Sequence, residues 1–187
     1  GESGMENVSE VKFFSGGMAG AEAEFGAQAE KWGAQEVNFT YEGRTPARTR
    51  GLVSLGPEEM QRGDISMEIV CMRMNRSYSN AEAIRKVMQM IFHMVNNGFQ
   101  VFAVGWIQPD DTVKGGTGWA VELAKLFNRP LSVYDQERRT WFSWKDNAWV
   151  ESLPVIEHKT FVGTGTRHLS EDGQRAIADL FERSFRH

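Results

Sequence analysis

Three glycine-rich runs carry residue types suited to holding an anion: Ser15-Gly16-Gly17-Met18-Ala19-Gly20, Gly115-Gly116-Thr117-Gly118 and Thr164-Gly165-Thr166-Arg167. Each stands between an apolar run and a segment of helical composition. A helix N-terminus exposes unpaired N–H groups and the positive end of the peptide dipole, and glycine lets the preceding turn come close to a ligand. Arg167 adds a planar fork of donors that grips an oxyanion through two bonds. The candidate anion ligands are therefore Ser15, Gly16, Gly17, Gly20, Gly115, Gly116, Thr117, Gly118, Thr164, Gly165, Thr166 and Arg167. Any one of these turns is equally well a packing device, and only their convergence on one point would separate the two readings. The second run lacks the GxxxxGK[ST] spacing of a P-loop and the first lacks GxGxxG, so neither motif applies.

Other candidates are single residues. Asp135 ends a predicted strand and is placed either to contact ribose hydroxyls or to cap the following turn. Arg44, Arg48 and Arg50 follow another strand and can reach a phosphate or a nucleic-acid backbone, or simply be solvated. His93, His158 and His168 stand in no metal-ligand spacing, and no Ser-His-Asp arrangement is visible, so no metal and no cofactor is expected. Cys71, the only cysteine, lies among Ile69, Val70 and Met72 and reads as a packed thiol.

The turns need a frame that gathers them. Residues 11–14 read as a strand entering the first glycine run, and residues 21–32 as a helix ended by Gly33. Strand formers at 36–41 are followed by an arginine-bearing loop, then by helices expected over 57–72 and 80–97, the second opened by Asn80 and closed by Gly98. The apolar run 101–107 suits a strand buried on both faces of a parallel sheet. A helix over 119–127, a strand over 131–134, a hairpin over 140–150 turning at Asp146-Asn147, a strand over 160–163 and a helix over 171–185 complete the chain. Trp141, Phe142, Trp144 and Trp149 are expected to hold the hairpin onto the body of the domain. The pattern predicts an α/β, Rossmann-like three-layer fold with a mainly parallel sheet and a small β-hairpin near residues 140–150. In such a sheet all strand C-termini share one edge, so the three turns should face one crevice.

Bulk properties bound the partners. The 187 residues suit a single domain over 11–187, with residues 1–10 expected to be a disordered or tag-derived tail. A net charge of -4 supplies no general field for a nucleic-acid duplex, so nucleic acid is not a favoured partner. No run approaches the ~18 apolar residues of a membrane span, so a cytoplasmic setting is expected.

The residues also resemble a known family. SGGMAGAE at 15–22 is similar to the SGGARGAD-type loop of the SLOG superfamily, which includes the DNA-processing protein A family and the Lonely Guy phosphoribohydrolases. KGGTGWAVELA at 114–124 resembles its PGGxGTxxE loop and helix, and GTGTRHLSEDG at 163–173 resembles its G-[ST]-R turn. In the family the G-[ST]-R strand comes first and leads into the SGG strand. Here it closes the chain, which looks like a circular permutation; the competing reading is an added edge strand that only mimics the signature. Departures are Met18-Ala19 for Ala-Arg, Glu22 for Asp, and Trp119 for Thr. The resemblance implies a nucleotide-like, phosphate-bearing small-molecule ligand and a homodimer. Glu122 matches a carboxylate associated with glycosidic-bond cleavage, so Glu122 and Arg167 are the catalytic candidates for an alternative function, a phosphoribohydrolase acting on a nucleoside monophosphate. A second alternative is single-stranded DNA binding through the Arg44 to Arg50 loop.

Overall fold

The computed structural model describes residues 7–78 and 80–186. The chain runs β1 (Lys12–Ser15), α1 (Ala21–Trp32), β2 (Gln35–Tyr41), β3 (Leu52–Leu55), α2 (Pro57–Gln61), α3 (Asp64–Arg73), α4 (Glu82–Asn97), β4 (Gln100–Gly105), α5 (Thr117–Leu126), β5 (Leu131–Asp135), β6 (Thr140–Lys145), β7 (Ala148–Ser152), β8 (Thr160–Gly165) and α6 (Glu171–Phe185). The strands form one sheet in the order β3-β2-β1-β8-β4-β5-β6-β7. All pairings from β3 to β5 are parallel, and β6 and β7 continue the sheet antiparallel.

Strand side chains alternate between the faces, and each face has its own core. Phe13, Phe102, Val104 and Phe161 pack with Phe25 of α1 and Ile177, Leu180 and Phe181 of α6. Phe14, Val101, Ala103 and Val162 face the opposite layer, where Met67 and Val70 of α3, Met94 and Val95 of α4, and Val121 and Leu123 of α5 cover them. The Rossmann-like three-layer arrangement is thus present, with helices on both faces of a mostly parallel sheet. The hairpin is present too: Asp146 and Asn147 both adopt positive φ, of 49° and 61°, as its two-residue turn needs.

Several boundaries differ from the sequence expectation. The helix expected over 57–72 is interrupted: α2 ends at Gln61 and α3 begins at Asp64. The chain between them tightens to i→i−3 bonds from Arg62 N–H to the Glu59 carbonyl and from Gly63 N–H to the Met60 carbonyl, with Gly63 against Phe92 of α4. Strand β3 was not expected. Helix α4 starts at Glu82, with Ala81 rather than Asn80 at its N-cap. Of the tail, Val8–Glu10 forms a 3-10 turn capped by Asn7, and Val8 packs against the α1 and α6 core; residues 1–6 lie outside the described residues. Strand β8 lies between β1 and β4, so it is no edge addition. Counted with β8 first, β2-β1-β8-β4-β5 has the 3-2-1-4-5 order of a doubly wound sheet.

Candidate functional site

The chain leaves β1, β4 and β8 on the same edge of the sheet, so their following turns lie side by side. Met18 and Glu22 after β1, Trp106 and Lys114–Thr117 after β4, and Thr164–His168 at the end of β8 line one cleft of about 590 Å³. Arg44, from the loop after β2, and Val87, Met90 and Ile91 of α4 complete its wall. The site lies between β8 and β4, where the chain diverges to opposite faces of the sheet. Such a switch point opens a crevice in doubly wound folds.

The first turn is folded around a side chain. Met18 N–H donates to Glu22 Oε1 at 3.0 Å, and Thr164 Oγ1 donates to Glu22 Oε2 at 2.7 Å. The Gly16 N–H adds a weaker favourable interaction with this carboxylate. Burial pushes the Glu22 carboxyl above its ordinary pKa, opposed by these bonds and by the Arg44 guanidinium. A side chain at Gly16 would crowd the ends of Met90, Arg44 and Glu22, which would have to shift to make room. Gly20, at φ 95°, caps α1 with its backbone against Thr166 and Arg167, so the first and third turns touch. Ser15 is buried and donates through Oγ to the Gly163 carbonyl at 2.7 Å.

The second and third turns are open by comparison. Helix α5 begins at Thr117 with no side-chain cap on its N-terminus. Among the described residues the N–H groups of Gly115, Gly116 and Thr117 have no acceptor, and the Lys114 and Arg167 side chains have neither a carboxylate nor a hydrogen-bond partner. Lys114 Nζ stands 5.7 Å from the Trp106 ring centroid. Arg44 is partly buried, which lowers its pKa; Glu22 opposes this, while the like charge of Arg167 lowers it further. Three cations therefore border the cleft against one buried carboxyl.

Not every candidate reaches it. Gly115, Gly116, Thr117, Thr164, Gly165, Thr166 and Arg167 line the cleft, whereas Ser15, Gly16, Gly17, Gly20 and Gly118 shape the turns without lining it. Glu122 is outside the lining, with Lys125 Nζ 2.8 Å from its Oε2 in an ion pair. That lysine also lies 3.9 Å from the Trp144 ring centroid and donates to the Asp111 carbonyl. Asp135 is buried and accepts from Glu137 N–H at 2.9 Å, the capping arrangement rather than an open carboxylate. Of the loop arginines only Arg44 borders the cleft. Arg48 and Arg50 are bound to Glu36, at 2.7 and 3.1 Å from its Oε1.

Glu22, Lys114 and Trp106 were not singled out as site residues by sequence, and neither was the α4 wall. Glu22 and Lys114 lie in the motif segments 15–22 and 114–124 and Trp106 in the apolar run 101–107, while Ile84, Val87, Ile91 and Val95 recur at helical spacing and read as a core stripe. Among the described residues no group of His, Cys, Asp and Glu is placed to hold a metal ion, and no helix is long and apolar enough to cross a membrane. Comparison of the chain with models of protein families, with curated proteins and with solved structures gives no match.

Proposed function

We propose that the cleft binds a phosphate-bearing, nucleotide-like small molecule, its phosphate against the Gly115–Thr117 turn and Arg167. The observation that carries this reading is the meeting of unused N–H groups with two unpaired cations, Lys114 and Arg167, at one opening. An anion there would satisfy the N-terminus of α5 and relieve the repulsion between Arg44 and Arg167. A volume of about 590 Å³ suits a ligand of nucleotide size, and Val87, Met90, Ile91 and Trp106 offer an apolar wall for a base. The SLOG resemblance of the three turns points the same way.

The reading stops at binding. The phosphoribohydrolase alternative rests on Glu122, whose carboxylate is committed to Lys125 outside the cleft. Single-stranded DNA binding rests on a loop whose Arg48 and Arg50 are engaged by Glu36. Thermal unfolding against AMP, ADP-ribose, NAD, cyclic nucleotides and ribose 5-phosphate tests the proposal, since a ligand bound only by the folded state raises the midpoint. A selective rise is expected, and Arg167→Ala should weaken that ligand about tenfold or more, the worth of a charged hydrogen-bond pair. No shift with any of these compounds at millimolar concentration would overturn the reading.

A further inference from the structure

The first glycine turn differs from the other two in one respect: its anion is already in place. Met18 N–H donates to the Glu22 carboxylate, Thr164 Oγ1 closes it from β8, and Gly16 N–H adds a weaker interaction. This is the arrangement a nest of N–H groups makes around a phosphate oxygen, here completed within the chain. The second turn has the complementary condition, with free N–H groups and unpaired cations.

We propose that Glu22 is the built-in anion of the first glycine turn and a specificity-determining residue: it closes that turn to phosphate, so that the cleft accepts one phosphoryl group and turns away a pyrophosphate. The inference rests on the binding function proposed above and adds how many phosphoryl groups the site takes. A pyrophosphate seated at α5 would carry its second phosphoryl group either into solvent, gaining nothing, or toward the first turn. In the first turn it would meet a buried carboxylate instead of free donors, and like charges repel strongly where water is excluded. Burial already penalises the charged form of Glu22 and a neighbouring dianion would penalise it further, while in either protonation state the carboxyl keeps the first turn's donors occupied. Arg44 Nη1 is engaged by the Phe39 carbonyl and Thr40 Oγ1, and its charge is offset by Glu22. Glu22 is therefore a rejecting element, and discrimination by an unfavourable contact is as effective as added attraction to the preferred ligand.

Affinities of inorganic phosphate, pyrophosphate, ribose 5-phosphate, AMP and ADP for the full chain, by titration calorimetry, test this. The wild-type protein should bind AMP about tenfold or more tightly than ADP, and pyrophosphate no more tightly than phosphate. Glu22→Gln keeps the shape, since its oxygen accepts from Met18 and its amide donates to Thr164, yet removes the charge. In that variant the AMP to ADP ratio should fall to about threefold or less and pyrophosphate should tighten. The wild-type ratio is informative even if the variant folds poorly. Equal binding of AMP and ADP by the wild type, both lost in Arg167→Ala, would overturn the role of Glu22 and leave the phosphate site standing. A tenfold ratio retained in folded Glu22→Gln would do the same. If none of the compounds binds, the proposed function fails and this inference with it.

Discussion

Glu36 shows how a charged residue can be structural rather than functional. Its side chain is 0% exposed, and its oxygens accept from Arg48 Nε at 2.8 Å, Arg48 Nη2 at 2.7 Å, Arg50 Nη1 at 3.1 Å and Asn38 Nδ2 at 2.8 Å. Burial alone would raise its pKa, but these donors outweigh it and the pKa is lowered. Arg48→Ala should therefore destabilise the fold by about 3 kcal/mol, at the lower end for a broken buried pair because Arg48 keeps some contact with water. A carboxylate with a depressed folded pKa contributes stability above its unfolded pKa and loses it as pH falls through the folded value. The deficit of Arg48→Ala, read by denaturant unfolding, should shrink on acidification. Glu22 has the opposite sign, since its folded pKa is raised. Its contribution worsens as pH rises from the unfolded toward the folded value, so Glu22→Gln should gain on the wild type over that rise. At this scale the sequence was legible where a residue's role follows from its local turn, as for Arg167 and the Gly115–Thr117 run. It marked Glu22 only as a departure within the first motif and did not mark Glu36, because the partners that define both come from distant segments: Thr164 and Arg44 for one, Arg48 and Arg50 for the other.

The β6–β7 hairpin carries the clearest test for an element. Asp146 and Asn147 occupy the left-handed region, while Trp144 and Trp149 pair across the strands with ring centroids 4.9 Å apart and Lys125 lies over them. Asn147→Gly should be neutral or slightly stabilising, whereas Asn147→Val should cost about 1–2 kcal/mol, the penalty of a left-handed conformation for a branched side chain. Thermal midpoints of the two variants check this; equal midpoints would mean the turn contributes nothing to register. The hairpin was readable because its turn chemistry is local. Strand β3 was not, since three of its four residues are exposed and it has no alternating pattern, being held at the sheet edge by pairing with β2 and by Leu55 in the core. The break at Gly63 was hidden for a related reason: Met60, Met67 and Val70 keep facing the core across it, and the Phe92 side chain that lies against Gly63 comes from α4.

For the whole molecule, the strand order carries the argument. A sheet with β8 at its centre begins, in structural terms, with the last strand of the chain. Helix α6 runs back from the cleft edge, and its Phe185 packs on Trp32 at the far end of α1 while Ser184 Oγ accepts from Ile156 N–H ahead of β8. Lys12 N–H donates to the Lys159 carbonyl, so β1 also starts at that end. Joining α6 to β1 would complete a parallel crossover of ordinary handedness and length, which is the reading of the chain as a circular permutation. A variant with residues 186 and 7 joined by a flexible glycine and serine linker, and opened between the exposed Leu153 and the half-buried Pro154, should then fold with a midpoint near that of the wild type. Opening the joined chain between Arg167 and His168 should instead abolish phosphate binding, because it cuts the turn that Gln136 holds through the His168 carbonyl and Ser170 N–H. Unfolded material from the first opening would show that the α6 to β1 join cannot serve as a crossover. A folded product from both, with binding kept only in the first, would place stability in the strand order and the ligand site in the turns that the order gathers.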